Sequence, residues 1–382
     1  MTNPKSKIQN LKWLAPVILS VFLIWLTIKS CNKGSDFAAY YAAGEMIRMG
    51  EASQLYSIPA LTAREQATPF GHFTPFCHLP LEAALLAPFT FFSYPTAYVL
   101  WCFFNFLCVG VSCWILARWR GKLPGLQFWA VLAVPLASIA ISGQDTGFLL
   151  LVYSWAFVSL CHDKDESGGI ALGLALFRYG VTIPFLILLL PLRRWVALMW
   201  AAAGGVFLLF WSELIVGPHF ARDYLNMLRF QSGPSDLARL NEMPSLRGLF
   251  GAAHPTAYLT VALGILALGM WAVWSRPGQW VSIPSFDDVL VLPPFGIAFA
   301  IGIPVALAVD PHGFAYGWVL LAIQAAILEG DLFAGIFYVV PFTLAFGSGV
   351  YGSLGPAVVV LLVIAFWSWR ALSAPRIAQI SV

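Results

Sequence analysis

Charge is scarce in this chain of 382 residues. Only 10% of them are Asp, Glu, Lys or Arg, 60% are apolar, and mean hydropathy is +0.80. Soluble domains carry about 25% charged residues. No water-soluble fold of this size can bury so much apolar surface, which excludes a soluble enzyme, a disordered chain and a nucleic-acid binder. Regular alternation of apolar and polar residues is missing too, so a membrane β-barrel is excluded. The six cysteines (Cys31, Cys77, Cys102, Cys108, Cys113, Cys161) form no Cys-x-x-Cys pair, and no His-Glu-x-x-His is present. Cys31 and Cys77 bracket the first loop and form a candidate disulfide; buried free thiols describe the rest. Neither an internal repeat nor a low-complexity tail is visible.

What the chain has is long apolar runs. A bilayer core takes about 20 mostly apolar residues per helix. Residues 11–28 form the first run, and later ones fall at 79–93, 96–117, 124–141, 146–161, 169–192, 195–216, 256–274, 287–309, 312–329, 332–349 and 351–371. The expected fold is all-α, a polytopic membrane protein of about twelve spans. It reads as one integral-membrane domain over 1–382, with 29–78 an outer catalytic loop, 79–216 holding spans two to seven, 217–255 a second outer loop and 256–371 the C-terminal spans. The 146–161 and 169–192 runs could instead be half-spans or one re-entrant pair.

Lys5, Lys7 and Lys12 place the N-terminus in the cytoplasm by the positive-inside rule. Arg193, Arg194, Arg276, Arg370 and Arg376 then fall inside as well. Arg118, Arg120 and Lys122 would fall outside. Either a span is miscounted near them or that loop meets anionic head groups. On the same count Asp145 lies on the inner side.

The first loop is the most informative stretch. Phe37, Tyr40, Tyr41, Gly44 and Ile47 recur at helical spacing, which predicts a short amphipathic helix in the membrane interface with its tyrosines at head-group depth. Asp36 sits at its start. One reading is an N-cap. The other is a carboxylate aimed at a reaction centre, kept ionised by the helix N-terminus as a general base requires. His72 and His78 make only a weak metal pair. Glu82, at the mouth of the next run, is an ionisable group at a membrane entrance, and the alternative is an interfacial Glu that snorkels to water.

Few polar residues interrupt the later runs. Gly143-Gln144-Asp145 reads as a tight turn. Arg178, in mid-run, must face protein, water or an anion: a lipid phosphate or a structural ion pair. Asn105 suits an interhelical hydrogen bond. His312, within Asp310–Tyr316, falls on the same side as Asp36.

Taken in order, Asp36-Phe37, Tyr40-Tyr41-Ala42-Ala43-Gly44, Leu55-Tyr56, His78-Leu79-Pro80-Leu81-Glu82-Ala83, Pro88, Ala97-Tyr98, Leu100-Trp101 and Asn105 resemble glycosyltransferase family 87. Gly143-Gln144, Gly173-Leu174-Ala175-Leu176 ahead of Arg193-Arg194-Trp195, Ser245-Leu246-Arg247-Gly248 and Pro311 to Tyr316 continue the resemblance more loosely. It implies a C-type glycosyltransferase (GT-C) fold, a sugar donor on a polyprenyl phosphate and an active site on the outer, periplasmic face of the inner membrane. It also implies an Asp base in the first outer loop, which maps onto Asp36, and a late-span histidine, which maps onto His312.

Two positions depart from the family pattern. Tyr316-Gly317 stands where Tyr-Asp is frequent, and Arg178-Tyr179-Gly180 where a Lys precedes a Pro. Arg binds a phosphate at least as well as Lys.

Sugar transfer needs a base, a stabilised leaving phosphate and exclusion of water. The expected reaction moves a mannose-like hexose or a pentose from the lipid donor to an acceptor hydroxyl on a glycolipid or polysaccharide, with inversion. Asp36 and His312 are the candidate catalytic residues. Tyr40, Tyr41, His78, Glu82, Gln144, Arg178, Arg247 and Tyr316 are the candidate substrate-binding residues, with Arg178 and Arg247 facing the phosphate. No cofactor or metal is expected, because a lipid-linked donor needs no Asp-x-Asp metal clamp. A lipid or lipid-linked-sugar transporter, or an inactive relative that binds such a lipid, are the alternatives.

Overall fold

Apolar surface on the outside is the first structural fact about this chain. The structure, a computed structural model, describes residues 4–232, 239–250, 254–275, 281–284, 289–292, 294–328 and 357–371. Val17, Ile18, Val21, Phe22, Ile24, Trp25 and Ile28 stand exposed along α1 (Pro4–Ser30), as do Leu259, Leu263, Leu268, Trp271 and Trp274 along a later helix. Apolar stripes of this extent mark contact with lipid. Among the described residues four helical segments, Tyr94–Arg120, Asp165–Leu192, Trp195–Val216 and Pro255–Trp274, are by length and composition alone sufficient to cross a membrane.

The chain shuttles between two ends of a helical bundle. After α1, three short helices gather at one end, hereafter the site end: α2 (Ser35–Arg48), α3 (Ile58–Gln66) and α4 (Pro80–Leu86), the last continued by a 3-10 turn at Ala87–Phe91. Next, α5 (Tyr94–Arg120) runs to the far end, with Pro95 in its first turn and Gly121 at φ +75° closing it, the usual Pro-start, Gly-stop asymmetry. Helix α6 (Leu126–Ser142) returns, and α7 (Thr146–Cys161) descends again. Asn105 on α5 accepts a hydrogen bond from the Phe148 N–H on α7 at 3.3 Å, the expected interhelical contact.

The 165–192 segment is not straight. It comprises α8 (Asp165–Ala175), a 3-10 turn at Leu176–Arg178, and α9 (Tyr179–Leu189). Thr182 Oγ1 donates to the Ala175 carbonyl at 2.8 Å, whereas seven residues along a straight helix cover about 10 Å. The chain therefore reverses at Arg178, whose ψ of 63° leaves the helical region. Residues 169–192 are thus two half-length helices in themselves, neither one span nor one half of a re-entrant pair with 146–161.

Helix α10 (Trp195–Val216) then climbs parallel to α8. Gly173 of α8 meets Gly204 of α10 so closely that a Cβ on Gly173 would lie 2.8 Å from the Gly204 Cα. Gly169-x-x-x-Gly173 against Ala197 and Ala201 is the small-residue packing that membrane helices use.

At the site end follow α11 (Phe220–Gln231) and the short α12 (Leu246–Phe250). Helix α13 (Pro255–Trp274) descends to a small antiparallel hairpin, β1 (Val281–Pro284) with β2 (Val289–Leu292), registered Val281 to Leu292. Helix α14 (Pro294–Val309) is the central strut, buried from Phe295 to Val309. A 3-10 stretch at Ala315–Leu320 and α15 (Leu321–Ile327) lead away from the site end, and α16 (Val358–Ala371) packs on α14. The expected run at 332–349, Arg276 and Arg376 lie outside the described residues.

Three expectations change. Residues 79–93 do not cross the bundle. They lie along α2, with His78 beside Tyr40, Leu86 against Gly44 and Arg48 donating to Thr90 at 2.9 Å. A run of short helices broken by Pro88 lacks the length of a span. Arg118, Arg120 and Lys122 consequently fall at the same far end as Arg193 and Arg194. Trp119 packs on Phe157 with ring centroids 4.7 Å apart, and Arg120 donates to the Ile327 carbonyl at 3.3 Å. Second, α2 is not an interfacial helix, because Phe37, Ala38, Ala39, Tyr40, Ala42, Ala43 and Met46 are buried in protein. Third, Cys31 and Cys77 are both free thiols, and Cys31 donates instead to the Ile28 carbonyl.

The loop feeding the site is held by a buried acid. Glu65 on α3 is fully buried and accepts the Thr74 N–H, while its Oε1 has no hydrogen-bond partner. Burial pushes its carboxyl up from 4.5 to about 8. A carboxyl raised in the fold stabilises it fully below pH 4.5, and this contribution is lost as pH rises through about 8. Thermal unfolding from pH 5 to 9 should therefore show a falling midpoint for the wild type, and Glu65→Gln should flatten that decline.

Candidate active site

The Gly143-Gln144-Asp145 turn between α6 and α7 does more than reverse the chain. Gly143 sits at φ +77°, and a Cβ there would lie 2.6 Å from the Phe37 Cβ. Glycine is thus required both for the left-handed backbone and for the close approach of α2. The turn is pinned by Trp101, whose Nε1 donates to the Gly143 carbonyl at 2.8 Å. So anchored, it brings Gln144 and Asp145 up to the reversal at Arg178.

Arg178 forks Asp145. Its Nε donates to Asp145 Oδ2 at 3.0 Å, its Nη2 donates to Oδ1, and the carboxylate is 2% exposed. The same Nη2 also reaches Gln144 Oε1 and Tyr40 Oη, each at 3.1 Å. Gln144 Nε2 in turn donates to Asp36 Oδ2. Two carboxylates at the same end therefore have different fates. Asp145 is locked into an ion pair, while half-buried Asp36 accepts one neutral amide and lines open space.

A second arm runs through Tyr40. Its hydroxyl lies 3.2 Å from His78 Nε2, and His78 Nδ1 lies 3.1 Å from Glu82 Oε1. Tyr56 fixes His78 from behind by donating to its carbonyl at 2.7 Å. Burial and the Arg178 charge hold the His78 imidazole down at about 3, from 6.5. Burial and the Asp145 carboxylate push the Glu82 carboxyl well up. The two groups are 3.0 Å apart at their nearest, yet neutral imidazole and neutral acid describe them better than a salt bridge.

His78, Glu82 and Asp145 offer ligand atoms within 4.8 Å of one another. A metal would have to compete with Arg178 for both Asp145 oxygens and with Tyr40 and Glu82 for both His78 nitrogens, so the donor set fits a hydrogen-bond network and not a metal. His72 is exposed and packs its ring against Phe70, and it is not among the groups clustered at His78. Motif reading passed over Asp163-Lys164-Asp165, an Asp-x-Asp spacing. It lies at the far end, where Arg194 donates to Asp163 at 2.8 Å and to Asp165 at 2.9 Å.

Two cavities meet at Asp36. The first is lined by Asp36, Tyr40, His78, Gln144, Arg178, His312 and Tyr316, with Thr74 and Pro75 at one side. The second is lined by Asp36, Ser138, Ile141, Ser142 and Glu242. Arg239, Phe314 and Tyr316 belong to both. Phe314 and Tyr316 stack with centroids 5.4 Å apart, and each carries a guanidinium: Arg239 lies 4.8 Å over Phe314 and Arg178 lies 5.6 Å over Tyr316. His312 enters on a turn that Asp310 ties down by accepting the His312 N–H at 2.9 Å.

Most of the expected site residues converge here, including Asp36, Tyr40, His78, Gln144, Arg178, His312 and Tyr316, with Glu82 behind His78. Tyr41 and Arg247 do not line the cavities. Tyr41 faces the other way and donates to the Phe92 carbonyl at 2.9 Å, and Arg247 sits on α12. The N-cap reading of Asp36 also fails: Gly34 is the cap, and Asp36 lies in the first turn. Asp145 belongs at the site end, because 79–93 is not a pass. Arg239 carried no signal in its spacing.

The sequence profile of glycosyltransferase family 87 matches residues 76–282, more than half of the chain. The chain belongs to glycosyltransferase family 87. No curated protein and no solved structure matches it significantly. The chain is thus a membrane glycosyltransferase. The matched span holds His78, Glu82, Gln144, Asp145, Arg178 and Arg239, whereas Asp36, Tyr40 and the 310–317 turn lie outside it.

Removing the Asp145 charge would leave the Arg178 guanidinium buried and unpaired. Asp145→Asn should cost about 3–5 kcal/mol, read as a lowered thermal midpoint in nanodiscs. Adding Arg178→Gln should recover part of that loss, since no charge is then stranded.

Proposed function

We propose that this glycosyltransferase moves a mannose-like hexose or a pentose from a polyprenyl-phosphate donor to an acceptor hydroxyl on a glycolipid or polysaccharide. The observation that carries this reading is Asp36 at the junction of two cavities, held by Gln144 and by no arginine fork. A bisubstrate transfer needs one base between two bound partners. The cavity bordered by Ile141 of α6, which is 50% exposed on the apolar surface, suits the lipid-linked donor. The cavity bordered by Thr74 and Pro75 suits the acceptor.

Asp36 takes the proton of the acceptor hydroxyl as its oxygen attacks the anomeric carbon, and the carbon–phosphate-oxygen bond breaks on the opposite side. Retention would need a second carboxylate free to act as nucleophile. Asp145 is committed to Arg178, Asp310 is engaged by the His312 backbone N–H, and Glu242 lines the donor cavity beside Arg239, on the leaving-group side, which favours a single inverting displacement. Arg178 acts by holding Gln144, which aims the Asp36 carboxylate. His312, in the same cavity, serves the reacting sugar or phosphate as a second polar group.

The topology we propose has about twelve passes of a GT-C arrangement in the cell's inner membrane. Arg118, Arg120, Lys122, Arg193 and Arg194 gather at the end opposite Asp36, which by the positive-inside rule is cytoplasmic. The site end then faces outward.

Two measurements test this. In nanodiscs supplied with polyprenyl-phosphate sugars, Asp36→Asn should slow transfer about 10²–10⁴-fold while donor binding persists. Retained turnover would remove Asp36 as the base. In a cysteine-free background, K122C should react with an impermeant maleimide only from the cytoplasmic side and T74C only from outside. The reverse pattern would invert the proposed sidedness.

A further inference from the structure

The Arg178 charge is already answered inside the protein. Its Nε and Nη2 are engaged by Asp145, Tyr40 and Gln144, and its side chain is 18% exposed. A neutralised buried pair supplies little net attraction to an incoming anion. Arg247, the other cation expected at the phosphate, does not line either cavity.

Arg239 differs in each respect. It lines both cavities together with Asp36, and its guanidinium lies over the Phe314 ring, 4.8 Å from the centroid. Its ion-pair partner is Glu242, three residues on, with Nε donating to Oε2 at 3.0 Å. Both side chains are half open to solvent, at 47% and 59%. An exposed pair of this kind contributes about 0–1 kcal/mol, so Glu242 can be exchanged for another anion at little cost. The ring beneath Arg239 keeps the guanidinium at the mouth while its partner changes.

We propose that Arg239 and Glu242 form a displaceable ion pair in which the donor's phosphate takes the place of Glu242. This rests on the lipid-phosphate donor reading above and assigns its leaving-group site. As the bond from the anomeric carbon to the phosphate oxygen breaks, the electron pair stays on that oxygen. The acceptor oxygen bonds to the carbon and its proton passes to Asp36. A phosphodiester with one negative charge becomes a monoester carrying about 1.5 to 2. Attraction to Arg239 therefore grows along the reaction, which accelerates the step instead of merely binding the donor. Glu242, left unpaired at the rim, returns to Arg239 and helps expel the product phosphate.

The test uses a short-chain polyprenyl monophosphate, with no sugar and no acceptor, titrated into the full-length protein in nanodiscs. Arg239→Gln should weaken its binding about tenfold or more, as expected for losing a charge-assisted bond. Glu242→Gln should tighten binding about two- to fivefold, the worth of a surface ion pair. Because the two variants move in opposite directions, a folding defect cannot imitate the pattern. The double variant should bind like Arg239→Gln alone. Unchanged affinity in both single variants, or weaker binding in Glu242→Gln, would overturn the exchange while leaving the donor reading intact. No binding by the wild type would overturn the donor reading itself, and the exchange with it.

Discussion

The buried pair of Arg178 and Asp145 is the interaction around which the site end is built. Each group alone would be costly away from water, and removing one partner costs more than the pair contributes. Its geometry therefore constrains everything that supplies a ligand to it. The α8–α9 reversal must present Arg178, and the α6–α7 turn must present Asp145. Arg178 then reaches Gln144 and Tyr40, so α2 is tied to the same point, and Tyr40 passes the constraint to His78 and α4. Segments distant in sequence are thus fixed by one guanidinium whose Nε and Nη2 donors are engaged inside the protein.

That constraint also separates two carboxylates at the same end, and in the proposed mechanism it is why one and not the other can act as base. Asp145 and Asp36 are chemically alike and lie near the same hydrogen-bond chain. Arg178 meets the first with a full charge and the second only through the Gln144 amide. The first is a structural anion and the second stays open to a substrate proton. The same distinction separates the two arginines over the aromatic shelf. Arg178 on Tyr316 is buried and neutralised, whereas Arg239 on Phe314 is open and loosely paired. Rigidity and exchangeable charge occupy adjacent rings.

Close packing lets this polar centre sit at the end of an apolar bundle. Glycines at 143, 173 and 204 are places where one backbone reaches another with no room for a side chain. Gly143 admits Phe37 of α2 to the turn, and the Gly173–Gly204 contact seats α8 beside α10. The α6–α7 turn and the α8–α9 reversal both fall at the site end, which brings Gln144, Asp145 and Arg178 to one level, while the α7–α8 joint lies at the far end. Membrane helices associate through such packing because lipid offers no hydrophobic drive between them.

Much of this was legible in the chain. Hydropathy established a helical membrane protein, since the need for about 20 apolar residues per crossing is local and additive. The residues around Asp36, His78 and Gln144 pointed to the family, and the need of a helix N-terminus for a negative charge pointed to Asp36. What composition and spacing did not decide is which polar residues meet. Residues 79–93 are apolar enough to resemble a span but lie along α2, and 169–192 is long enough for one span but folds back at Arg178. The first error alone moved Asp145 to the wrong end, because each pass reverses the side of everything after it until a second error cancels it. Arg239 had no periodicity or motif to mark it. Pairings among Asp36, Gln144, Arg178 and Asp145, and the seat of Arg239 on Phe314, depend on contacts across scores of residues, and those exist only once the helices have packed.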